Sequence, residues 1–290
     1  MNKTVVGAWP GTTKVVVMVT VVLENWADGL VPAFSPMVLA TPLRPGTLDL
    51  QGESWAAYGG ETGAWRILEL LERHDVQSTL AVSGKSVELY PDVIRAYDLA
   101  AHEIAAHSYT QCVVLPSLSP KEEFAIIRKC TDLISDATGK KPKGWVSPRA
   151  TQTRNTAEFI AGEGYIWHGD YNDTDLPYVV STSKGDLVAL MHSDFSDVRV
   201  VQGAPENYFT VHKDMFDFLH DSGKPEIINL SIHCLWGGRP LMAAKVAQIL
   251  KYFKSFDDVW LARHDDVARW VLEQSKSAIV AASSNLASGN

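Results

Sequence analysis

The sequence predicts an α/β protein built on a parallel sheet, and three observations carry that expectation. Short apolar, β-branched runs alternate with helical patterns along most of the 290 residues, the rhythm of strand–helix–strand units. No repeat period, linker or charge run divides the chain, so one domain is expected over 1–290, with its core at about 15–274. The polar residues of chemical interest follow directly on apolar runs, where a parallel α/β sheet, doubly wound or closed into a barrel, carries its functional loops.

The elements follow in chain order. Val15–Leu23 is a continuous apolar, β-branched run and reads as a buried strand, extended by Glu24-Asn25-Trp26-Ala27-Asp28-Gly29. A proline- and glycine-bearing stretch, 30–60, reads as a long loop. Ala64–His74 has the spacing of an amphipathic helix, Ser78–Val82 of a strand, and 87–97 of a helix. Glu103–Ala106 is a strand, followed by a helix over 120–138 that Gly139 and Pro142 stop. Trp145-Val146 precedes a helix over 153–163. Leu187–Met191, Ile227–Ile232 and Val259–Ala262 are further strands, each followed by helical material. The Ala/Ser-rich segment 275–290 reads as a mobile tail.

Composition narrows the class. Hydrophobic residues at 46% and charged ones at 21% are enough to build a core and a soluble surface. A net charge of −8 without a basic tract argues against a nucleic-acid surface. Cys112, Cys130 and Cys234 are odd in number and widely spaced, which suits a reducing compartment better than a disulfide framework. The apolar run at Val15 is too short to span a bilayer, and no signal-peptide pattern precedes it. A cytoplasmic protein without membrane contact is expected.

Candidate site residues stand at the strand ends. Asp28 before Gly29 is either a turn carboxylate or a metal ligand and base; its place after a buried strand favours the second. His107 lies five residues beyond His102, so strand alternation turns the two to opposite faces and His107 is better placed at the sheet's mouth. Arg149 closes Gly144-Trp145-Val146-Ser147-Pro148-Arg149, where a guanidinium can orient a carboxylate. His233 ends Ile227–Ile232 beside Gly237-Gly238, and an imidazole there suits proton donation to a leaving amine. Trp26, Trp145, Trp167 and Trp236 lie near strand ends and are expected to include walls of a substrate cavity. The acidic loop Gly169–Pro177 lacks the glycine and closing glutamate of a calcium loop.

Taken in order, Trp26-Ala27-Asp28-Gly29, Tyr58–Arg66, His102-Glu103-Ile104-Ala105-Ala106-His107, Gly144–Arg149 and Ile232-His233 with Gly238-Arg239-Pro240 resemble the polysaccharide deacetylase (NodB-homology) superfamily, in its intracellular, allantoinase-like and peptidoglycan-deacetylase-like branch. The resemblance covers roughly Val15–Leu272. It implies a distorted (β/α) barrel with outer helices, a homo-oligomer (dimer or tetramer), and hydrolysis of an amide-type C–N bond. It also implies a divalent, zinc-type metal held by an aspartate and two histidines, with a neighbouring aspartate as base and a late histidine as acid. Carried over, Asp28 and His107 match ligands and His233 the acid. Gln111 stands where the second box histidine would be and Ala27 where the base would be. An amide is a poor zinc ligand, so any metal is expected to be easily stripped and Asp28 is expected to take the base role, with Glu24 in reserve on the same strand face. Arg239 joins the tryptophans as a substrate-binding candidate.

The expected function is therefore hydrolysis of a C–N bond in a small amide, ureide or cyclic imide. The alternatives are a metal-dependent N-deacetylase of an amino sugar or glycan, and a non-catalytic small-molecule-binding descendant.

Overall fold

The computed structural model describes residues 7–41, 43–44, 46–192, 196–200, 204 and 207–287. Among them nine strands form one sheet: β1 (Val15–Leu23), β2 (Thr79–Val82), β3 (Glu103–Ala106), β4 (Gly144–Trp145), β5 (Trp167–His168), β6 (Tyr178–Thr182), β7 (Gly185–Ala189), β8 (Glu226–His233) and β9 (Val259–Ala262). Their order is β6-β7-β5-β4-β3-β2-β1-β8, with β9 also on β1. Every pairing is parallel except the β6–β7 hairpin. β1 serves three neighbours because it is long: β8 pairs along Val15–Val22, β9 along Val15–Met18 and β2 along Thr20–Leu23. The end strands β6 and β8 are not paired with each other, so the curled sheet is an open half-barrel, the distorted (β/α) barrel expected.

Side-chain alternation divides the core in two. Odd residues of β1, from Val15 to Leu23, pack outward with Leu80, Ile104, Leu230 and the surrounding helices. Even residues Val16 and Met18 pack inward with Ala105, Val146, Trp167, Val188 and Ile227. The final helix, His264–Ala287, plugs the base of this interior with Val267, Ala268 and Val271. At mid-height the interior turns polar: Thr79 donates to Glu103 Oε2 (2.7 Å), Trp167 Nε1–H to Glu103 Oε1 (2.7 Å) and the Asp265 amide to Glu103 Oε2 (2.9 Å).

Several helices differ from the sequence reading. The stretch 30–60 is partly helical, with Pro36–Ala40 and Leu50–Tyr58; the latter runs through a π-turn, Gly59–Gly63, into Ala64–Arg73. Glycines there are required by close approach: a Cβ on Gly63 would lie 1.9 Å from the Cys234 carbonyl oxygen. The helix expected over 87–97 is two, Gly84–Leu89 and Pro91–Leu99. Pro91 lacks an N–H and bars its predecessor from helical geometry, so it starts a new helix. The helix Pro120–Thr138 keeps its expected bounds through a Ser119–Glu122 capping box and a left-handed Gly139 (φ 72°). The segment read as a tail is helical as far as Ala287, and 288–290 lie outside the described residues.

Candidate active site

The C-terminal ends of the inward-facing strand rows open into a cavity of about 290 Å³. On β1 the inward row continues through Thr20 and Val22 to Glu24, and on β8 it runs through Ser231 to His233. β3 ends its row at His107. These strand ends bring Glu24, His107 and His233 to one cavity, where Gln111, Ser147, Arg149 and His192 join them.

His233 is held by a carboxylate. Its Nδ1–H donates to Asp197 Oδ1 (2.7 Å) and its backbone N–H to Asp197 Oδ2 (2.8 Å), and Asp197 is fully buried. Burial alone would lower the imidazole's pKa. The charges of Asp197 and Glu24, with the Asp197 hydrogen bond, reverse that and raise it to about 9. His233 is thus an imidazolium near neutrality, with Nδ1 committed and Nε2–H free to be given away. Gly237 makes room for the pair, since a Cβ there would lie 2.1 Å from Ile232 and 2.9 Å from Asp197 Oδ2. The Gly-Gly pair thus serves close packing.

Glu24 and His107 face each other with Oε2 and Nε2 4.0 Å apart. Burial raises the Glu24 pKa, against the pull of the His233 and Arg149 cations, with Asp197 adding to the rise. Burial lowers His107 to about 4 despite its bond to the Val146 carbonyl, so it is neutral at pH 7. Its Nδ1–H donates to Val146 O (2.9 Å), which leaves a bare Nε2 lone pair toward Glu24. Arg149 and Ala150 are both left-handed (φ 59° and 53°). Two such non-glycine residues cost on the order of 1–3 kcal/mol each, a strain typical of functional loops. The neighbouring Ser147 amide is pinned by Asp170 Oδ1 (2.7 Å), whose other oxygen meets His168 Nε2 at 3.0 Å.

One wall is aromatic. Trp26 and Phe34 line the cavity with ring centroids 6.2 Å apart. Behind Phe34 stand Trp236 (6.4 Å, stacked) and Trp55 (6.1 Å).

Other expected residues lie elsewhere. Asp28 lies outside the cavity: its side chain is 90% exposed and pairs with Lys85 (3.2 Å). The strand ends at Leu23, so the face alternation that reaches Glu24 does not continue, and a turn closed by Leu30 N–H to Ala27 O carries Asp28 to solvent. Trp145 and Trp167 are fully buried core residues, bound through their indole N–H groups to Ser147 Oγ and Glu103. Trp236 supports the wall without lining it. Arg239 lies over the Tyr58 ring (3.7 Å) and donates to the Leu235 and Trp55 carbonyls, fastening the Leu50–Tyr58 helix.

The polysaccharide deacetylase family model matches residues 56–165. The fold superposes on a crystal structure of a probable polysaccharide deacetylase from Pseudomonas aeruginosa PAO1 with a TM-score of 0.82, at 30% identity, covering 90% of this chain and 92% of that one. The chain belongs to the polysaccharide deacetylase family. It is also similar to the PuuE allantoinase (TM-score 0.82, 30% identity, 90% of this chain and 91% of that one). The peptidoglycan deacetylase of Helicobacter pylori is 29% identical over 128 residues, 42% of each chain. The polysaccharide deacetylases are hydrolases of C–N bonds, and this chain carries their fold over nearly its whole length.

The metal that the polysaccharide deacetylase resemblance implies can be tested on the donor set. Asp28 is outside the cavity, and Gln111 offers only an amide beside His107 and Glu24. Among the described residues no three His, Cys, Asp or Glu side chains are grouped to hold an ion. Catalytic zinc takes three good ligands, so this set does not fit one. No helix among the described residues is long and apolar enough to cross a membrane.

Sequence reasoning missed Asp197, His192 and Phe34. His192 follows β7 closely, so the strand-end rule applied there would have found it. Asp197 had a weaker signal, the need of His233 for a carboxylate partner.

Proposed function

We propose that this chain hydrolyses an amide-type C–N bond in a compact small molecule, a cyclic imide, ureide or amide, using protein groups for the acid and base steps. The observation that carries the reading is the Asp197–His233 pair beside Glu24 on one small, aromatic-walled cavity. Glu24, whose raised pKa suits a base working near neutrality, takes a proton from water as the water oxygen attacks the carbonyl carbon. The C–N bond of the tetrahedral adduct then breaks, and His233 Nε2–H protonates the departing nitrogen, giving a carboxylic acid and a free N–H. Asp197 holds the imidazolium in the tautomer and orientation that transfer needs. The His233 and Arg149 cations oppose the effect of burial on Glu24 and favour its carboxylate form.

The 30% likeness to the PuuE allantoinase supports a ureide or related ring, and a cavity of about 290 Å³ walled by Trp26 and Phe34 suits a flat one. The test is a turnover panel of succinimide, hydantoin, allantoin, acetamide and N-acetylglucosamine with the wild type and His233→Ala. Ring opening of an imide or ureide is expected, with kcat reduced about 10²–10⁴-fold in the folded variant. Turnover confined to N-acetylglucosamine would move the substrate to amino sugars, and equal turnover by His233→Ala would remove the acid from the mechanism.

A further inference from the structure

The cavity provides a base and an acid, but negative charge also develops on the carbonyl oxygen during attack, and it needs a donor. The N–H groups of several neighbours are committed. His107 gives its Nδ1–H to Val146, His233 gives its Nδ1–H and backbone N–H to Asp197, and the Ser147 amide goes to Asp170. Gln111 differs. It is 8% exposed, lines the cavity, and its side-chain nitrogen is buried without a hydrogen-bond partner. Of the buried side-chain polar atoms left without a partner among the described residues, it alone belongs to a residue lining this cavity. Its backbone is not free to drift: Gln111 N–H donates to Asn25 O (2.8 Å), which ties it to the residue after Glu24. A buried donor left unpaired is costly unless a ligand completes it.

We propose that the Gln111 carboxamide donates to the carbonyl oxygen of the scissile amide and strengthens that bond as the oxygen becomes an oxyanion. The inference rests on the hydrolytic reading above and deepens it: Gln111 is a catalytic residue of the same site, and the substrate presents its carbonyl oxygen toward Gln111 with the carbonyl carbon toward Glu24. A neutral amide provides this without competing with the proton transfers of Glu24 and His233.

The experiment compares wild type, Gln111→Leu, Gln111→Glu and His233→Ala on the panel substrate that the wild type turns over fastest, with circular dichroism to confirm folding. Removing an oxyanion donor costs about 10²–10³-fold in kcat. Gln111→Leu is expected to lose that factor, with KM changed by no more than a few-fold and the pH limbs unmoved; Gln111→Glu is expected to lose it too, with the limbs displaced upward by the added carboxylate beside Glu24 and His233. The limbs report the acid and base, which a merely structural Gln111 would disturb. Gln111→Leu within a few-fold of wild-type kcat, while His233→Ala is inactive, would overturn the Gln111 assignment and leave the hydrolytic reading standing. Displaced pH limbs in Gln111→Leu with KM raised in parallel would also overturn it, showing that Gln111 only packs the site. A wild type without turnover of any panel member would overturn the hydrolytic reading and this inference with it.

Discussion

Asp197→Asn separates the charge of Asp197 from its shape. The Asp197 carboxylate accepts two hydrogen bonds from His233, and its charge is the largest influence opposing burial in raising that imidazole to about 9. Asparagine keeps the volume and one oxygen acceptor but removes the charge. His233 should then fall toward its ordinary value of about 6.5, with burial pulling it down and Glu24 still holding it up. At pH 8 a group of pKa about 9 is roughly nine-tenths protonated, and one of about 6.5 only about 3%, a loss of about 30-fold in the acid form. At pH 6 both forms are mostly protonated and the loss shrinks to less than about twofold. The ratio of wild-type to variant kcat should therefore climb from pH 6 to pH 8.

Stability should move the other way. A histidine whose folded pKa is raised contributes stability that is complete below the unfolded value and is lost as pH rises through the folded one. For His233 that window is about 6.5 to about 9, with an upper bound on the order of 3 kcal/mol. The Tm gap between wild type and Asp197→Asn should thus be widest near pH 6 and narrow toward pH 9, while the activity gap widens. A kcat ratio constant across pH 6–8 would refute the argument, since a purely positional Asp197 would cost the same at every pH.

Glu24→Gln should lower kcat by about 10²-fold or more and erase the acid limb of the pH–rate profile, which in the wild type should lie above the ordinary carboxylate value of 4.5. Asp28→Asn, by contrast, should leave kcat and Tm unchanged, because Asp28 is exposed; a tenfold loss of kcat would restore it to the site. Trp26→Ala or Phe34→Ala should raise KM about tenfold, and Trp236→Ala less, since it reaches the cavity only through Phe34. Acid should destabilise the fold: His102 and His107 (about 4) and His264 (about 3) are kept neutral by burial, so their contribution is complete above 6.5 and is lost as pH falls toward 4. At pH 5 the three cost about 2 kcal/mol each, while Glu103, raised to about 7, returns about 2 and His233, raised to about 9, about 1, with Glu24 working in the same direction, so chemical unfolding should show a net fall on the order of 2–3 kcal/mol from pH 7.5. Greater stability at pH 5 than at 7.5 would contradict it.

What the sequence disclosed depended on whether a residue's place is set by its own segment. Val15–Leu23, Glu103–Ala106 and Glu226–His233 are strands because their β-branched and apolar residues suit burial on both faces, and each run delivers a polar residue to the cavity on leaving the sheet. The same logic does not reach Asp28, five residues past the last paired residue Leu23, whereas Glu24 directly follows it and keeps the strand's inward face. It failed too for Trp145 and Trp167, since proximity to a strand end does not say whether a ring faces the cavity or the core. β5 has two residues and β6 is half-exposed, so neither has a readable period. The helices within 30–60 are held by tertiary contacts, Arg239 on Tyr58 and Gly63 against Cys234, that no local propensity encodes. Asp197 is the sharpest case: 36 residues from His233, it has no pattern of its own, yet its charge decides whether that histidine can act as an acid. The strand ends thus reveal where chemistry can occur, while the protonation states that make it work come from groups the fold brings alongside them.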